Sequence, residues 1–148
     1  MENINSLFNR TYDAEKLTSF FDKSVEELFE YYADMKAAAK EYDIAFSQLH
    51  AVFPVYFPGE EARTKYFMDV TKKMIAVAGY LGSPCIVVHP WRNPYVAREE
   101  EIAINMNLYR ELMPVAKQYR VKICLENLFY MKDRNFIAAG CTTPEEAC

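Results

Sequence analysis

Three short, largely apolar segments recur at nearly equal intervals along the chain, and a titratable residue follows each of them. The segments IAFSQL, CIVV and VKICL are followed by His50, His89 and Glu126, which lie 39 and 37 residues apart. An uninterrupted apolar run such as CIVV is typical of a parallel strand that is covered on both faces. Because helical patterns separate the segments, this period predicts repeated βα units and a parallel sheet.

The residues at the three predicted strand ends are the main indication of function. Parallel strands place their C-terminal ends on one side of the sheet, where α/β folds bind ligands. A single histidine at a strand end is more often a hydrogen-bonded structural residue. However, His50 and His89 are the only histidines of the chain, and both take the same position in the pattern as Glu126. The sequence therefore predicts that these three side chains converge on one site.

Amphipathic helices are predicted around the strands. Ser24 and Glu27 form a capping box at the start of the first helix. Pro114 is expected to bend the third helix near its end. Residues 3–8 are at best a strand remnant followed by a loop. Apolar side chains at three- and four-residue spacing predict the helices over residues 24–42, about 60–80 and about 98–119.

Composition limits the class of protein. Of the 148 residues, 51% are apolar and 26% are charged, which predicts one globular domain over residues 1–148. The net charge is −4, with scattered Lys and Arg, so no nucleic-acid partner is expected. No apolar run approaches the roughly 20 residues that cross a bilayer, and the first residues lack a signal-peptide pattern. We therefore expect no membrane partner and a cytoplasmic location.

The four cysteines form no CxxC pair, which excludes a zinc ribbon and a thioredoxin-type motif. Cys85 and Cys124 lie inside apolar runs and are expected to be small buried hydrophobic residues. Cys141 and Cys148 lie in a polar tail and are expected to be exposed thiols.

The stretches FSQLHA, CIVVHPW and ICLENL, in this order and at these intervals, resemble the second, third and fourth strands of the xylose isomerase-like superfamily. This superfamily of (β/α)₈ barrels contains sugar isomerases and epimerases and also endonuclease IV. The resemblance covers roughly residues 24–146. It implies an α/β fold, a partial TIM barrel with about three to four parallel strands and flanking helices.

The resemblance also implies roles for the strand-end residues. In the sugar branch, Glu126 is similar to the first metal ligand, which also helps to move a proton on the substrate, and His89 would lie beside the substrate. In the endonuclease IV branch, His50, His89 and Glu126 would all be metal ligands, a set that suits zinc. The implied cofactor is a divalent metal, namely Mn, Mg, Co or Zn.

A sugar or sugar phosphate is the expected small-molecule partner. Aromatic residues near the strand ends suit the apolar faces of a sugar, and nearby polar residues suit its hydroxyl or phosphate groups. The aromatic candidates are Phe53, Trp91, Phe129 and Tyr130, and the polar candidates are Arg92, Asn93 and Asn127. With His50, the residues Trp91, Arg92 and Asn127 form the predicted substrate-binding set.

The predicted barrel is incomplete, because a (β/α)₈ barrel has eight strands in about 250 residues and this sequence supplies three clear strands. Residues 143–147 predict the start of a further helix. We therefore expect exposed strand edges and a homo-oligomer. Three functions stay open: a metal-assisted sugar isomerase or epimerase, a non-catalytic fragment that self-associates, and, less favoured because of the acidic charge, a zinc nuclease.

Overall fold

Three parallel strands form the central sheet of residues 4–138, the part of the chain that the computed structural model describes. They are β1 (Leu49–His50), β2 (Cys85–Val87) and β3 (Lys122–Cys124), in the order β1-β2-β3. Ile86 is the central residue, paired with Leu49 on one side and Ile123 on the other. The predicted parallel sheet is thus confirmed, in shorter strands than the sequence predicts.

The largest difference is in β1, which the sequence predicts to begin at Ile44. Ile44 lies outside the strand and is 54% exposed. Within residues 4–138, β1 has one neighbouring strand, β2, and only Leu49 and His50 pair with it. The residues before Leu49 have no backbone partner in the sheet. They therefore do not form a strand, although their apolar pattern is typical of one.

Five α-helices flank the sheet within the described residues 4–138. The helices predicted over residues 60–80 and 98–119 are confirmed to within one residue, and the second of them continues through Pro114. A 3₁₀ turn, Phe20–Asp22, lies between the first two helices. In chain order the helices are α1 (Ile4–Thr11), α2 (Val25–Tyr31), α3 (Ala33–Glu41), α4 (Glu61–Leu81) and α5 (Arg98–Tyr119).

Two predictions near the N-terminus are wrong. Residues 4–8 belong to helix α1 and not to a strand remnant, because Ile4, Leu7 and Phe8 repeat at helical spacing and all three are buried. The predicted helix over residues 24–42 is interrupted at Tyr32, where φ is −90° and ψ is 3°. The Tyr32 ring is buried at this break. The capping box of Ser24 and Glu27 is confirmed at the start of α2.

Helix α4 lies at the centre of the hydrophobic core. Met74, Ile75 and Val77 on this helix are fully buried, and they join a cluster that includes residues from the sheet and from every helix except α3. Gly79 permits close packing of α4 against the end of α5, because a Cβ atom there would lie 2.6 Å from the Tyr119 carbonyl oxygen. This contact lies at the C-terminal end of α5, where the chain turns into β3.

An antiparallel hairpin follows the sheet and was not predicted. Its strands are β4 (Phe129–Lys132) and β5 (Asn135–Ala138). Asp133 and Arg134 connect them with positive φ angles of 49° and 65°, as in a type I′ turn. The turn lacks the glycine that usually marks this geometry in a sequence, which explains the missed prediction. The predicted helix start at residues 143–147 lies outside the described residues.

Candidate functional site

The ends of the three parallel strands position His50, His89 and Glu126. His50 is the last residue of β1 and pairs with Val87, and Val87 pairs in turn with Cys124. Side chains alternate between the two faces of a strand, so His89 and Glu126, each two residues further on, continue on the same face. The predicted convergence of the three side chains is therefore built into the strand register.

The three side chains are in direct contact. The Nε2 atoms of His50 and His89 are 2.8 Å apart. The Nε2 atom of His89 is 2.9 Å from Oε2 of Glu126, and the Nε2 atom of His50 is 3.6 Å from the same oxygen. The His89 side chain is 16% exposed and that of Glu126 is 46% exposed. The carboxylate thus borders solvent while the imidazole behind it is largely covered.

Hydrogen bonding determines where the ring protons lie. Nδ1 of His50 is 3.0 Å from the Ala51 carbonyl oxygen, which can only accept, so Nδ1 carries the proton and Nε2 has a free lone pair. Nε2 of His89 faces this lone pair and the Glu126 carboxylate, and it therefore donates. Nδ1 of His89 is buried and has no hydrogen-bond partner among the described residues.

The environment keeps His89 neutral. Burial of the ring is the largest influence and lowers the pKa of His89, and the neighbouring His50 lowers it further. Glu126 acts in the opposite direction, but the net pKa lies below the ordinary value of 6.5. The ring of Phe53 covers His89 with a centroid separation of 4.8 Å. A neutral His89 can hold the carboxylate by donating a hydrogen bond, or can offer a nitrogen lone pair to a cation.

These three residues fit a divalent metal in number, chemistry and spacing. Two imidazoles and a carboxylate are a known ligand set for zinc, and bonds of about 2.0–2.1 Å in tetrahedral geometry separate the ligand atoms by about 3.3 Å. The separations of 2.8, 2.9 and 3.6 Å scatter around this value. His50 is already in the ligating tautomer. His89 is the weaker candidate, because its proton would have to move to the buried Nδ1.

The loop after β2 carries two of the predicted substrate-binding residues. Trp91 is 7% exposed, and its ring packs on its edge against Tyr56 at 5.1 Å. The Arg92 guanidinium donates a hydrogen bond to the Phe129 carbonyl oxygen in the hairpin. Its positive charge is close enough to His89 to contribute to the lowered pKa. The structure therefore places Arg92 beside the site, whereas Trp91 is buried against Tyr56 and Asn105.

The other predicted residues differ in their placement. Asn127 directly follows Glu126 and is exposed. The Asn93 side-chain oxygen accepts a hydrogen bond from the Tyr95 N–H at 2.9 Å. Phe129 is 54% exposed and packs against Phe136 of the hairpin, 4.8 Å between ring centroids. Tyr130 has a side chain outside the described part of the structure.

Sequence reasoning missed two buried polar residues of α5 that hold the loop after β2. Asn105 accepts a hydrogen bond from the Trp91 N–H and donates one to the Trp91 carbonyl, both at 2.7 Å. Glu101 accepts from the Asn93 N–H at 3.0 Å. Asn105 and Glu101 are 6% and 2% exposed. Their spacing, four residues apart on the buried side of a helix, is a sequence signal that could have identified them.

The family model described as xylose isomerase-like TIM barrel matches residues 10–147. The chain belongs to this family. The partial barrel predicted from the strand motifs is thereby confirmed, with three parallel strands and their helices. The resemblance of FSQLHA, CIVVHPW and ICLENL to this family is also confirmed.

A solved structure of a D-tagatose 3-epimerase-like protein is similar to this chain, with a TM-score of 0.60 and 26% sequence identity. The similarity covers 80% of this chain and 43% of that protein, so the chain spans less than half of the similar protein's length. No curated protein matches the chain. Every helix within residues 4–138 is too short or too polar to cross a bilayer.

Proposed function

We propose that Glu126 and its neighbours form part of a sugar isomerase or epimerase site. At such a site a proton is removed from the carbon next to a carbonyl and is then returned to the substrate. The observation that carries the proposal is the contact of 2.9 Å between the half-exposed Glu126 carboxylate and the Nε2 atom of His89. A carboxylate at the C-terminal edge of a parallel sheet lies where TIM barrels carry out their chemistry. The similarity to a D-tagatose 3-epimerase-like protein supports a ketose as substrate.

Glu126 would act as the general base. Its carboxylate takes the proton from the carbon next to the carbonyl and returns it as a carboxylic acid. His89 donates a hydrogen bond to the carboxylate and so fixes its orientation. A single carboxylate would face one side of the substrate. It suffices for an isomerisation, in which the proton moves between neighbouring carbons on that side. Inversion at one carbon needs a second group on the opposite face.

His50 and Glu126 would hold the divalent metal, and His89 would join them only if its ring proton moved from Nε2 to Nδ1, which would end its hydrogen bond to Glu126. A bound divalent metal supplies Lewis-acid polarisation of the carbonyl and hydroxyl oxygens of the sugar. Imidazole ligands suit Zn, and a site of this kind binds Co more tightly than Mn, whereas Mg and Mn prefer oxygen ligands. Among the four metals considered, this ligand set therefore favours Zn and Co.

The substrate would bind between the site and the loop after β2. Arg92 can donate several hydrogen bonds to hydroxyl or phosphate oxygens, and its present acceptor, the Phe129 carbonyl, is exchangeable. Asn127 and His50 would contact hydroxyl groups. Trp91 would shape the wall through its packing on Tyr56.

Exchange of a substrate proton with solvent deuterium tests this function. The chain is incubated in D₂O with D-tagatose or another ketohexose and with Mn²⁺ or Co²⁺, and proton NMR follows the hydrogen next to the carbonyl. We expect exchange that Glu126→Gln abolishes and that Glu100→Gln, an exposed change in the first turn of α5, leaves unchanged. Absence of exchange for every ketose, or exchange unaffected by Glu126→Gln, would contradict the proposal.

A zinc nuclease is the second candidate, favoured by the direct contact of two imidazoles and a carboxylate. The charge of −4 weighs against it, because DNA-binding enzymes present Lys and Arg to the phosphate backbone. Zinc-dependent cleavage of a duplex containing an abasic site, lost in His50→Ala, would favour this candidate over the sugar enzyme.

We also propose that copies of the chain associate through the exposed side of β3 and α5. The exposed fractions of Ile102, Met106, Met113 and Leu125 are 39%, 46%, 53% and 38%. Apolar side chains of this size are favoured at subunit contacts. A strictly monomeric species in light scattering at micromolar concentration would contradict this part. The cytoplasmic location stays a prediction.

A further inference from the structure

Cys85 and Cys124 bring two thiols together on the sheet, apart from the His50, His89 and Glu126 cluster. Cys85 pairs with Lys122 across β2 and β3, and Cys124 pairs with Val87. Paired residues of parallel strands project to the same face, and so do residues two apart on one strand. Cys85 and Cys124 are therefore diagonal neighbours on the face that carries His89 and Glu126.

The two thiols have different surroundings. The Cys85 thiol donates to the Ser47 carbonyl oxygen at 3.6 Å. Burial raises the pKa of the Cys124 thiol, and the neighbouring Cys85 raises it further. Both cysteines are free and half-buried, which corrects the expectation that they are fully buried core residues. Two free thiols that are neighbours on one face of the sheet can hold a ligand together.

The strand geometry separates two possible roles for such a pair. Strands about 4.8 Å apart and a two-residue rise of about 6.6 Å place diagonal Cα atoms about 8 Å apart. A disulfide requires Cα atoms closer than about 7 Å. A metal ion with bonds of about 2.3 Å to sulfur spans roughly 3.7 Å between two sulfurs in tetrahedral geometry and about 4.6 Å in linear geometry. The sheet therefore disfavours a disulfide and is compatible with a metal bridge.

We propose that Cys85 and Cys124 form a two-thiolate site for a soft, thiophilic metal cation, separate from the His50, His89 and Glu126 site. Binding forms two metal–sulfur bonds and releases one proton from each thiol to solvent. Burial and Cys85 together outweigh Lys122, which lowers the pKa of Cys124, so the bound metal itself has to stabilise the two thiolates. Thiolates select soft cations, whereas Glu126 and the imidazoles accept harder ones. The two sites therefore differ in the metals that they prefer.

Cadmium is a suitable probe, because thiolate–cadmium bonds give an ultraviolet charge-transfer absorption that imidazole and carboxylate ligands do not give. The titration uses the full chain reduced with a phosphine and carrying Cys141→Ser and Cys148→Ser, so that Cys85 and Cys124 are the remaining thiols. We expect saturation at one cadmium per chain. Cys85→Ser or Cys124→Ser should weaken binding by about a hundredfold or more, because the remaining thiolate loses the benefit of a second tethered ligand.

A His50→Ala variant is the matched control and should keep the full absorption. Protection from iodoacetamide provides a second measurement on the unmodified chain, independent of the folding of any variant. Cadmium should protect Cys85 and Cys124 together, as mapped by mass spectrometry. Undiminished absorption in Cys85→Ser, loss of absorption in His50→Ala, or protection of Cys141 and Cys148 alone would each overturn the proposal.

Discussion

Replacement of Asn105 by alanine should destabilise the chain through the loop after β2. Asn105 makes two hydrogen bonds to the Trp91 backbone and donates a third to the Glu101 carbonyl of its own helix. Asn105→Ala leaves the Trp91 N–H and carbonyl without these partners in a buried position. Each unsatisfied buried group costs about 1–3 kcal/mol. We therefore expect the free energy of unfolding to fall by about 2–4 kcal/mol.

Asn107→Ala is the matched control for this prediction. Asn107 lies on the same helix and is exposed, and its side-chain oxygen accepts a hydrogen bond from the Arg110 guanidinium at 3.4 Å. Both variants gain the same few tenths of a kcal/mol in helix propensity, which cancels in the comparison. Asn105→Asp keeps the acceptor for the Trp91 N–H but turns a buried carboxylate oxygen toward the Trp91 and Glu101 carbonyls, so its loss should be at least as large as that of Asn105→Ala.

Urea unfolding followed by circular dichroism measures these free energies. Trp91 is the only tryptophan of the chain, so its fluorescence reports directly on the loop. Asn105→Ala should shift the emission to the red and increase quenching by iodide, whereas Asn107→Ala should leave both unchanged. If the two alanine variants unfold with free energies within about 0.5 kcal/mol of each other, Asn105 does not hold the loop as argued.

Three further predictions concern packing, capping and pH. Gly79→Ala should destabilise the chain by about 1–3 kcal/mol in urea unfolding despite alanine's better helix propensity, because the new Cβ meets the Tyr119 backbone; unchanged stability would refute this close contact. Ser24→Ala should cost about 1 kcal/mol in thermal unfolding, because it removes the α2 cap, and Ser24→Thr should retain most of that stability. Burial of the ring lowers the pKa of His89, and the neighbouring His50 lowers it further. As the pH falls, the unfolded chain therefore takes up a proton on His89 at a higher pH than the folded chain does. The free energy of unfolding should therefore fall as the pH drops below about 6.5. His89→Gln should make this dependence on pH weaker, and an equal dependence in both proteins would contradict the prediction.

The sequence predicted the features of this fold that have strong local signals. Helix α4 has a long apolar pattern and ends at Gly82 in the left-handed conformation, and its ends are correct to within one residue. The convergence of the strand ends followed from one rule of parallel sheets and needed no tertiary information. The roles of His50, His89 and Glu126 in metal binding and catalysis stay predictions.

The features that the sequence did not predict depend on tertiary contacts or on weak turn signals. Helix α1 is only eight residues long, and its Phe8 ring packs against Phe67 of α4, 5.2 Å between centroids. The hairpin turns at Asp133 and Arg134, which have no glycine to indicate positive φ. The spacing of Glu101 and Asn105 could have indicated a polar pair on α5, but only the tertiary structure shows that Asn105 binds the Trp91 backbone.

Calorimetric titration of the chain with Zn²⁺ and Mn²⁺ tests the central claim most directly, namely that His50, His89 and Glu126 form a usable metal site. It is carried out in the Cys85→Ser and Cys124→Ser background, so that the thiol pair does not contribute. We predict binding of one metal ion per chain that Glu126→Ala abolishes and Glu100→Ala leaves unchanged. Absence of binding heat, or equal affinity in Glu126→Ala, would contradict the claim.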